Sequence, residues 1–499
     1  MHPYDAKKWL KQIDQVIAEG PYSDTWESLT RHETPRWFRD AKFGIFIHWG
    51  AYSVPAYDNE WYPRNMYIQG SRANKHQVET WGPLSKFGYK DFIPLFRAEK
   101  FDPAAWCELF KKAGARYVVP VAEHHDGFQM YRSELSGWNA AEMGPKRDVV
   151  GELTEEIRKA GMVNCASTHR IEHWFFLSHG REFDSDVREH ADDRTHLYWP
   201  SMPVPDEVIG GDYDIQPGPS REYLEDWMIR TVEIIDRFHP KQLYFDWWIM
   251  HRDARPYLRK IAAYYYNRAA EWGEEVMLIN KMGAFAYGSA TRDMERGGLR
   301  TAPPEPWQTD TAAARNSWCY TTENNFKSPE GILRDLIDAV AKNGCMLLNV
   351  GPKADGTFAE EDVRILTDIG EWLRVNGEAI YGSRTFMIQE EGPTEPASGA
   401  FSDTKDTPYT SRDFRFTMNH GNLYVLAMKG DEDGKYLIKS LCNRGKDNSQ
   451  STPNVIAEKV DALDPEVRVT AFRQTAEGLE IRTEGKKTDV PVAFRLTLI

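Results

Sequence analysis

A repeated alternation of strand-like apolar runs with helical segments extends from about Trp37 to Gly382, and it constrains the fold more than any other feature. Repeated strand-then-helix units favour a parallel sheet with helices outside it. About eight such units over about 340 residues fit a (β/α)8-like TIM barrel with long insertions. The strand-like runs lie at residues 42–48, 116–121, 162–167, 241–248, 275–280 and 345–350, with another short strand near 306–308.

The character of the sequence changes after about residue 386. Residues 390–413 are rich in Glu, Pro, Thr and Ser, which predicts a linker. A hairpin with a turn at 419–422 follows, and further strands are expected near 467–472, 479–482 and 492–498. We therefore predict a catalytic barrel domain over residues 1–385 and a C-terminal antiparallel β-sandwich domain over residues 386–499.

Composition and charge exclude several classes of partner. A formal net charge of -14 argues against binding nucleic acid or an anionic membrane surface. The five cysteines form no CxxC pair, and the amphipathic N-terminal segment lacks the apolar run of a signal peptide, so we expect free thiols and a cytoplasmic protein. A signal peptide removed earlier would leave a secreted or periplasmic form open, and the oligomeric state, a homo-oligomer included, is also open.

Polar side chains follow the ends of several predicted strands, where a barrel of this type carries its active site. Asp246 stands out because it lies among four aromatic residues. Burial raises the pKa of such a carboxyl unless a partner holds it ionised, and proteins accept that cost mainly at functional sites. Taken alone, Asp246 fits a structural residue bonded to backbone or Arg better than a functional one. The strand-end groups expected to converge with it are His48, Glu123, His124, His125, His169, Asn280, Trp307 and Asn349.

The residue types favour a polyhydroxylated ligand over a metal or a phosphate. His124 and His125 are adjacent, so on a strand they would point to opposite faces, and we predict no metal and no cofactor. There is no GxSxG motif and no Gly-rich phosphate loop. Imidazoles, carboxylates and aromatic rings suit a sugar, and cleavage of a glycosidic bond needs two carboxyls. Asp246 is the first candidate, and Glu295, expected on a later loop, is the best second one.

Several motifs together carry a resemblance to the alpha-L-fucosidases of glycoside hydrolase family 29. They are WFRDAKFGIFIHWG at 37–50, EWY at 60–62, HHDGF at 124–128, KRD at 146–148, LLNVGP at 347–352 with DG at 355–356, and NGEAIYG at 376–382. The resemblance implies a retaining mechanism on a (β/α)8-like barrel with a C-terminal β-sandwich. It implies Asp246 as the nucleophile, and a fucose pocket lined by His48, Glu60, Trp61, His124, His125, His169 and Trp307.

Two points separate this sequence from the family pattern. Trp247 stands where family members commonly have Gly, so the pocket wall and the preference for the leaving group are expected to differ. The acid/base residue varies within the family, which leaves Glu295 as the choice and Asp293 or Glu305 as alternatives.

The resemblance thus implies an exo-acting retaining alpha-L-fucosidase that releases terminal fucose from a fucosylated oligosaccharide or glycoconjugate. Three alternatives are open. They are a non-catalytic fucose-binding barrel, a retaining glycosidase for a related sugar such as a galactoside, and a metal-dependent hydrolase that a chelator would reveal.

Overall fold

A closed barrel of parallel strands forms the first part of the chain. The computed structural model describes residues 4–204, 214–443 and 455–499. Pairing of the first strand with both the second and the last closes the sheet, and two short strands separated only by Cys165 share one position, so eight positions surround the barrel. The predicted (β/α)8-like fold is confirmed. The strands are β1 (Phe43–Ile47), β2 (Tyr117–Glu123), β3 (Val163–Asn164), β4 (Ala166–Thr168), β5 (Gln242–Phe245), β6 (Met277–Asn280), β7 (Thr291–Glu295), β8 (Trp307–Ala312) and β9 (Gly344–Val350).

Helices surround the barrel and fill the long insertions. Asp102 begins one of them, because its carboxylate accepts the backbone N–H of Ala105 at 3.0 Å and Pro103 occupies the first turn. Among the described residues no helix is both long and apolar enough to cross a membrane. The helices are α1 (Ala6–Glu19), α2 (Trp26–Leu29), α3 (Arg36–Ala41), α4 (Tyr62–Asn65), α5 (Arg72–Thr80), α6 (Pro103–Lys112), α7 (Val149–Lys159), α8 (His173–Phe176), α9 (Asp186–His190), α10 (Arg221–Phe238), α11 (Arg255–Trp272), α12 (Pro329–Ala341) and α13 (Glu360–Asn376).

Two antiparallel sheets form the C-terminal part, with a hydrophobic core of their own that includes Phe414, Val425 and Phe494. The predicted hairpin is present, with its turn between Asn419 and Asn422. The five-stranded sheet has the order β10 (Arg384–Glu391), β11 (Phe414–Asn419), β12 (Asn422–Ala427), β17 (Val492–Leu498) and β14 (Ala457–Ala462), and the three-stranded sheet has the order β13 (Lys435–Ile438), β16 (Leu479–Gly485) and β15 (Val467–Gln474).

Part of the predicted linker folds back onto the barrel. We call residues 399–403 the returning segment. Its backbone N–H groups donate to carbonyl oxygens just after β7: Gly399 to Gly298 at 2.9 Å, and Asp403 to Arg296 at 3.1 Å. The Asp403 carboxylate also accepts the Thr311 hydroxyl at 2.5 Å and pairs with Arg296 and Lys327. The linker prediction is therefore wrong here, because buried ion pairs fix a stretch whose composition alone suggests a free connection.

Candidate active site

A cavity of about 360 Å³ opens at the carboxyl ends of the barrel strands. Five of the strand-end side chains expected to converge line it: His48 follows β1, His124 and His125 follow β2, His169 follows β4, and Asp246 follows β5. The other four expected there, Glu123, Asn280, Trp307 and Asn349, are not part of the lining. The cavity is lined by Phe46, His48, Asn59, Glu60, Trp61, Asn65, His124, His125, His169, Glu172, Tyr244, Asp246, Trp247, Trp248, Glu295, Asp310, Trp318 and Phe401.

Two imidazoles hold the Asp246 carboxylate. The Nδ1 atom of His169 lies 3.1 Å and the Nε2 atom of His125 3.2 Å from Oδ2 of Asp246. Burial would raise the pKa of Asp246, but the interactions with His169 and His125 outweigh burial and hold this pKa well below its ordinary value. Asp246 is therefore an ionised carboxylate facing the cavity, which is the state that a nucleophile requires.

The two imidazoles differ in charge. The Ser167 hydroxyl lies 2.6 Å from Nε2 of His169, and its donation there leaves the Nδ1 proton for Asp246. Burial lowers the pKa of His169, so this ring is neutral. His125 lies between two carboxylates, with Nδ1 2.9 Å from Oε2 of Glu172. Burial lowers its pKa, but Glu172 and Asp246 more than compensate and raise it well above the ordinary value, so His125 is a cation.

His48 and His124 are neutral imidazoles, because burial lowers the pKa of each well below its ordinary value. The amide nitrogen of Asn349 donates to the Trp318 carbonyl at 2.6 Å, which turns its Oδ1 atom toward His48. Nδ1 of His48 donates to that oxygen at 2.7 Å and leaves Nε2 as an acceptor. A neutral imidazole with one free acceptor suits a sugar hydroxyl.

Glu295 presents a second carboxyl to the same cavity. Its Oε2 atom accepts the indole N–H of Trp247 at 2.5 Å and lies 2.9 Å from Nζ of Lys281. Burial raises the pKa of Glu295 to about 7, with Asp310 and Asp246 adding to the rise and Lys281 opposing it. A carboxyl with this pKa can give up and regain a proton near neutral pH. The expectation that Glu295 lies on a loop is wrong, since it is the last residue of β7.

The two alternatives to Glu295 do not reach the cavity. Asp293 points into the barrel, where its carboxylate lies 2.8 Å from Nζ of Lys281 and accepts the amide N–H of Gln308 at 3.1 Å. Glu305 is exposed and lies outside the lining. Of the three carboxyls considered for the acid/base role, only Glu295 shares the cavity with Asp246.

Glu60 and Trp61 line the cavity as expected, and Trp307 does not. Glu60 accepts the backbone N–H of Trp318 at 2.8 Å, and burial raises its pKa. Trp307 is the first residue of β8, so it lies at the opposite end of the barrel, where its indole N–H donates to the Lys342 carbonyl at 2.8 Å. Trp318, which the sequence did not indicate, also lines the cavity, with its ring centroid 5.2 Å from that of His48.

Sequence reasoning also missed the partner of Glu172. Glu172 lines the cavity, where it lies against His125 and accepts the indole N–H of Trp248 at 3.1 Å. Its position three residues after His169 was the available signal. Trp318 and Phe401 carried no such signal, because isolated aromatic residues are common in cores.

Buried ion pairs behind the cavity fix the residues that present these histidines. Glu123 immediately precedes His124, and Arg170 immediately follows His169. Nη1 of Arg170 lies 2.8 Å from Oε1 of Glu123, and Nη2 of Arg170 lies 2.8 Å from Oδ2 of Asp226. Arg230 contacts the same two carboxylates at 3.0 Å each.

Replacing Arg170 by methionine should lower the free energy of unfolding by about 3–5 kcal/mol, because two buried carboxylates lose a cationic partner. Chemical denaturation monitored by circular dichroism measures this change. The matched control is Arg36→Met, which removes an exposed pair with Asp40 at 3.2 Å and should change stability by about 1 kcal/mol or less. Equal effects of the two substitutions would contradict the structural role of the buried network.

Within the described part of the chain, two sets of three side chains bring possible metal-ligand atoms within 4.8 Å of one another: His48, His124 and His169, and His125, His169 and Asp246. His169 belongs to both sets, and both of its ring nitrogens are engaged, one by Ser167 and the other by Asp246. Binding of a metal ion by either set would break one of these two hydrogen bonds of His169. The donor set fits the hydroxyls of a sugar better.

An ionised carboxylate and a carboxyl of raised pKa share one cavity with imidazoles and indoles, at the active-site end of a barrel. This fold and site define a glycoside hydrolase. A model of the Alpha-L-fucosidase family matches residues 9–378, and the chain belongs to that family.

Named relatives agree in sequence and in structure. Tissue alpha-L-fucosidase of Mus musculus is 30% identical over 393 residues, which are 76% of this chain and 78% of the mouse protein. Plasma alpha-L-fucosidase of Homo sapiens is 30% identical over 386 residues, 75% of this chain and 74% of the human protein. The crystal structure of Thermotoga maritima alpha-fucosidase in complex with fucose has a TM-score of 0.72 and 29% identity, covering 95% of this chain and all of that one.

Proposed function

We propose that this glycoside hydrolase removes terminal alpha-L-fucosyl residues from a fucosylated oligosaccharide or glycoconjugate, with retention of configuration and through a covalent fucosyl-enzyme on Asp246. The observation that carries the proposal is the contrast between the two carboxyls of the cavity. His125 and His169 hold Asp246 ionised, whereas burial gives Glu295 a pKa of about 7. Opposed pKa values in one site separate a nucleophile from an acid/base.

In the first step a carboxylate oxygen of Asp246 attacks the anomeric carbon. The bond from that carbon to the leaving oxygen breaks, and Glu295 transfers its proton to this oxygen. In the second step Glu295, now a carboxylate, takes a proton from water as the water oxygen attacks the anomeric carbon. The ester to Asp246 breaks, and both carboxyls return to their starting states.

Neutral imidazoles and indoles support fucose as the bound sugar. His48 and His124 offer hydrogen bonds without competing charge, and Trp61 and Trp318 offer flat apolar faces. The cavity volume of about 360 Å³ is near the lower end for small-molecule sites, which suits one terminal ring. Thermotoga maritima alpha-fucosidase has been solved with a mechanism based inhibitor, which supports a similar course of reaction here.

Proton NMR of the first product tests the proposal. The purified enzyme should release the alpha anomer of L-fucose from an aryl alpha-L-fucoside before mutarotation forms the beta anomer. Appearance of the beta anomer first would contradict a two-step mechanism. An aryl galactoside assayed in parallel addresses the related-sugar alternative, and faster hydrolysis of that compound would overturn the choice of fucose.

A further inference from the structure

Phe401 is an exposed aromatic residue at the edge of the catalytic cavity. It belongs to the returning segment between β10 and β11, yet it lines the cavity formed by the barrel. Its ring centroid lies 5.7 Å from that of Trp247, with an angle of 65° between the ring planes. Phe401 keeps 45% of its surface exposed, so burial of its own ring does not account for its position.

The backbone holds Phe401 in a conformation that bulky residues rarely adopt. Its φ is 56°, in the left-handed region, and such a residue persists only where the surrounding structure imposes it. The backbone N–H of Phe401 donates to the Glu295 carbonyl at 2.9 Å. Gly297 permits the close approach, because a Cβ atom there would overlap the carbonyl oxygen of Gly399. The ring is thus fixed at the cavity edge by the residue proposed as acid/base and by its neighbours.

Trp247 links this ring to the chemistry. Its indole N–H donates to Oε2 of Glu295, so Trp247 lies beside the carboxyl that faces the leaving oxygen. In the proposed mechanism, a group bonded to that oxygen lies on the Glu295 side of the cavity, where Trp247 and Phe401 form part of the lining. Two rings set at a steep angle form an apolar corner, and the apolar face of a pyranose or an aryl ring packs well against aromatic surfaces.

We propose that Phe401 and Trp247 form the binding site for the leaving group, taking the sugar ring or aryl group attached to fucose. This inference rests on the proposed function, because it assigns the leaving-group side of the same cavity. The returning segment thereby supplies a specificity-determining residue for a reaction whose charged groups all come from the barrel.

The test compares substrates with and without a leaving-group ring. Phe401→Ala should lower kcat/KM for an alpha-L-fucosyl-galactose disaccharide about 3- to 10-fold, as expected for one lost aromatic contact. For alpha-L-fucosyl fluoride, which has no ring on the leaving side, kcat/KM should stay within about twofold of wild type, because the fluoride contacts neither ring. Phe401→Tyr should restore the disaccharide rate, since it keeps the aromatic face.

Phe472→Ala is the matched control, because Phe472 is 37% exposed and lies on β15, away from the cavity. It should leave both substrates unchanged. A second variant, Gly297→Ala, should displace the returning segment and reproduce the selective loss on the disaccharide. Equal loss on the disaccharide and the fluoride in Phe401→Ala would overturn the inference, as would no loss on either. Absence of wild-type hydrolysis of the fluoride would instead overturn the proposed function.

Discussion

Replacing Asp246 by glycine should lower kcat on an aryl alpha-L-fucoside by about 10³-fold or more, because no other carboxylate takes the place of the nucleophile. His125 and His169 would lose the carboxylate that both contact, and His125 would keep Glu172 as its partner. Initial rates with a nitrophenyl alpha-L-fucoside as the aryl substrate measure this decrease in kcat. The substitution also leaves room beside the anomeric carbon, so azide should restore turnover and yield beta-L-fucosyl azide, identified by NMR.

Asp433→Gly is the control for this experiment, since Asp433 is exposed in the turn before β13 and is not part of the cavity lining. It should retain wild-type kcat. A value of kcat in Asp246→Gly close to wild type would show that the nucleophile is another residue. Formation of the alpha azide in that variant would likewise contradict the assignment, because direct displacement inverts the anomeric carbon.

Replacing Glu295 by alanine should lower kcat/KM for substrates with poor leaving groups by about 10²- to 10⁴-fold, the usual contribution of a general acid. Substrates with activated aryl leaving groups need little protonation, so their first step should be nearly unaffected. Hydrolysis of the fucosyl-enzyme would then limit turnover, and azide should accelerate it with formation of alpha-L-fucosyl azide. Steady-state rates across a series of aryl fucosides measure this dependence on the leaving group.

The pH dependence follows from the raised pKa of Glu295. The group must be protonated at the start of the reaction, so kcat/KM of the wild type should decline above pH about 7. With activated substrates this alkaline decline should be absent in Glu295→Ala. Asp293→Ala is the control, because Asp293 lies inside the barrel. Any decrease in kcat/KM that this substitution causes should be the same for good and poor leaving groups. The opposite pattern would transfer the acid/base role to Asp293.

The sequence predicted the barrel and half of the cavity lining, because strand ends in a parallel barrel converge regardless of detailed packing. His48, His125, His169 and Asp246 follow buried apolar runs, and such runs are visible in a sequence. Strand β7 was not recognised, since its residues TRDME include charged groups. Lys281 contacts Asp293 inside the barrel, a pairing that local periodicity does not report.

Trp307 and Phe401 show two further limits of predicting the site from the sequence. Both its place near a short strand and the family resemblance predict Trp307 in the cavity, but hydrophobicity does not tell which end of a short strand a residue occupies. Phe401 was assigned to a linker because its neighbours are small and polar. Ion pairs of Asp403 with Arg296 and Lys327, separated by 107 and 76 positions in the chain, decide its location. The expectation that Trp247 alters the cavity wall agrees with its place in the lining and its bond to Glu295.

Cleavage of the bond and contact with the leaving group depend on different parts of the chain. The groups around Asp246 belong to strand ends, where any change disturbs closely packed neighbours and the charge balance of the reaction. Residues 399–403 contact the barrel mainly through backbone atoms and through Asp403. The side chain at position 401 is therefore not needed for these contacts or for the charge balance around Asp246. Variation at this position can therefore alter what the enzyme accepts beyond fucose while the means of bond cleavage stay constant.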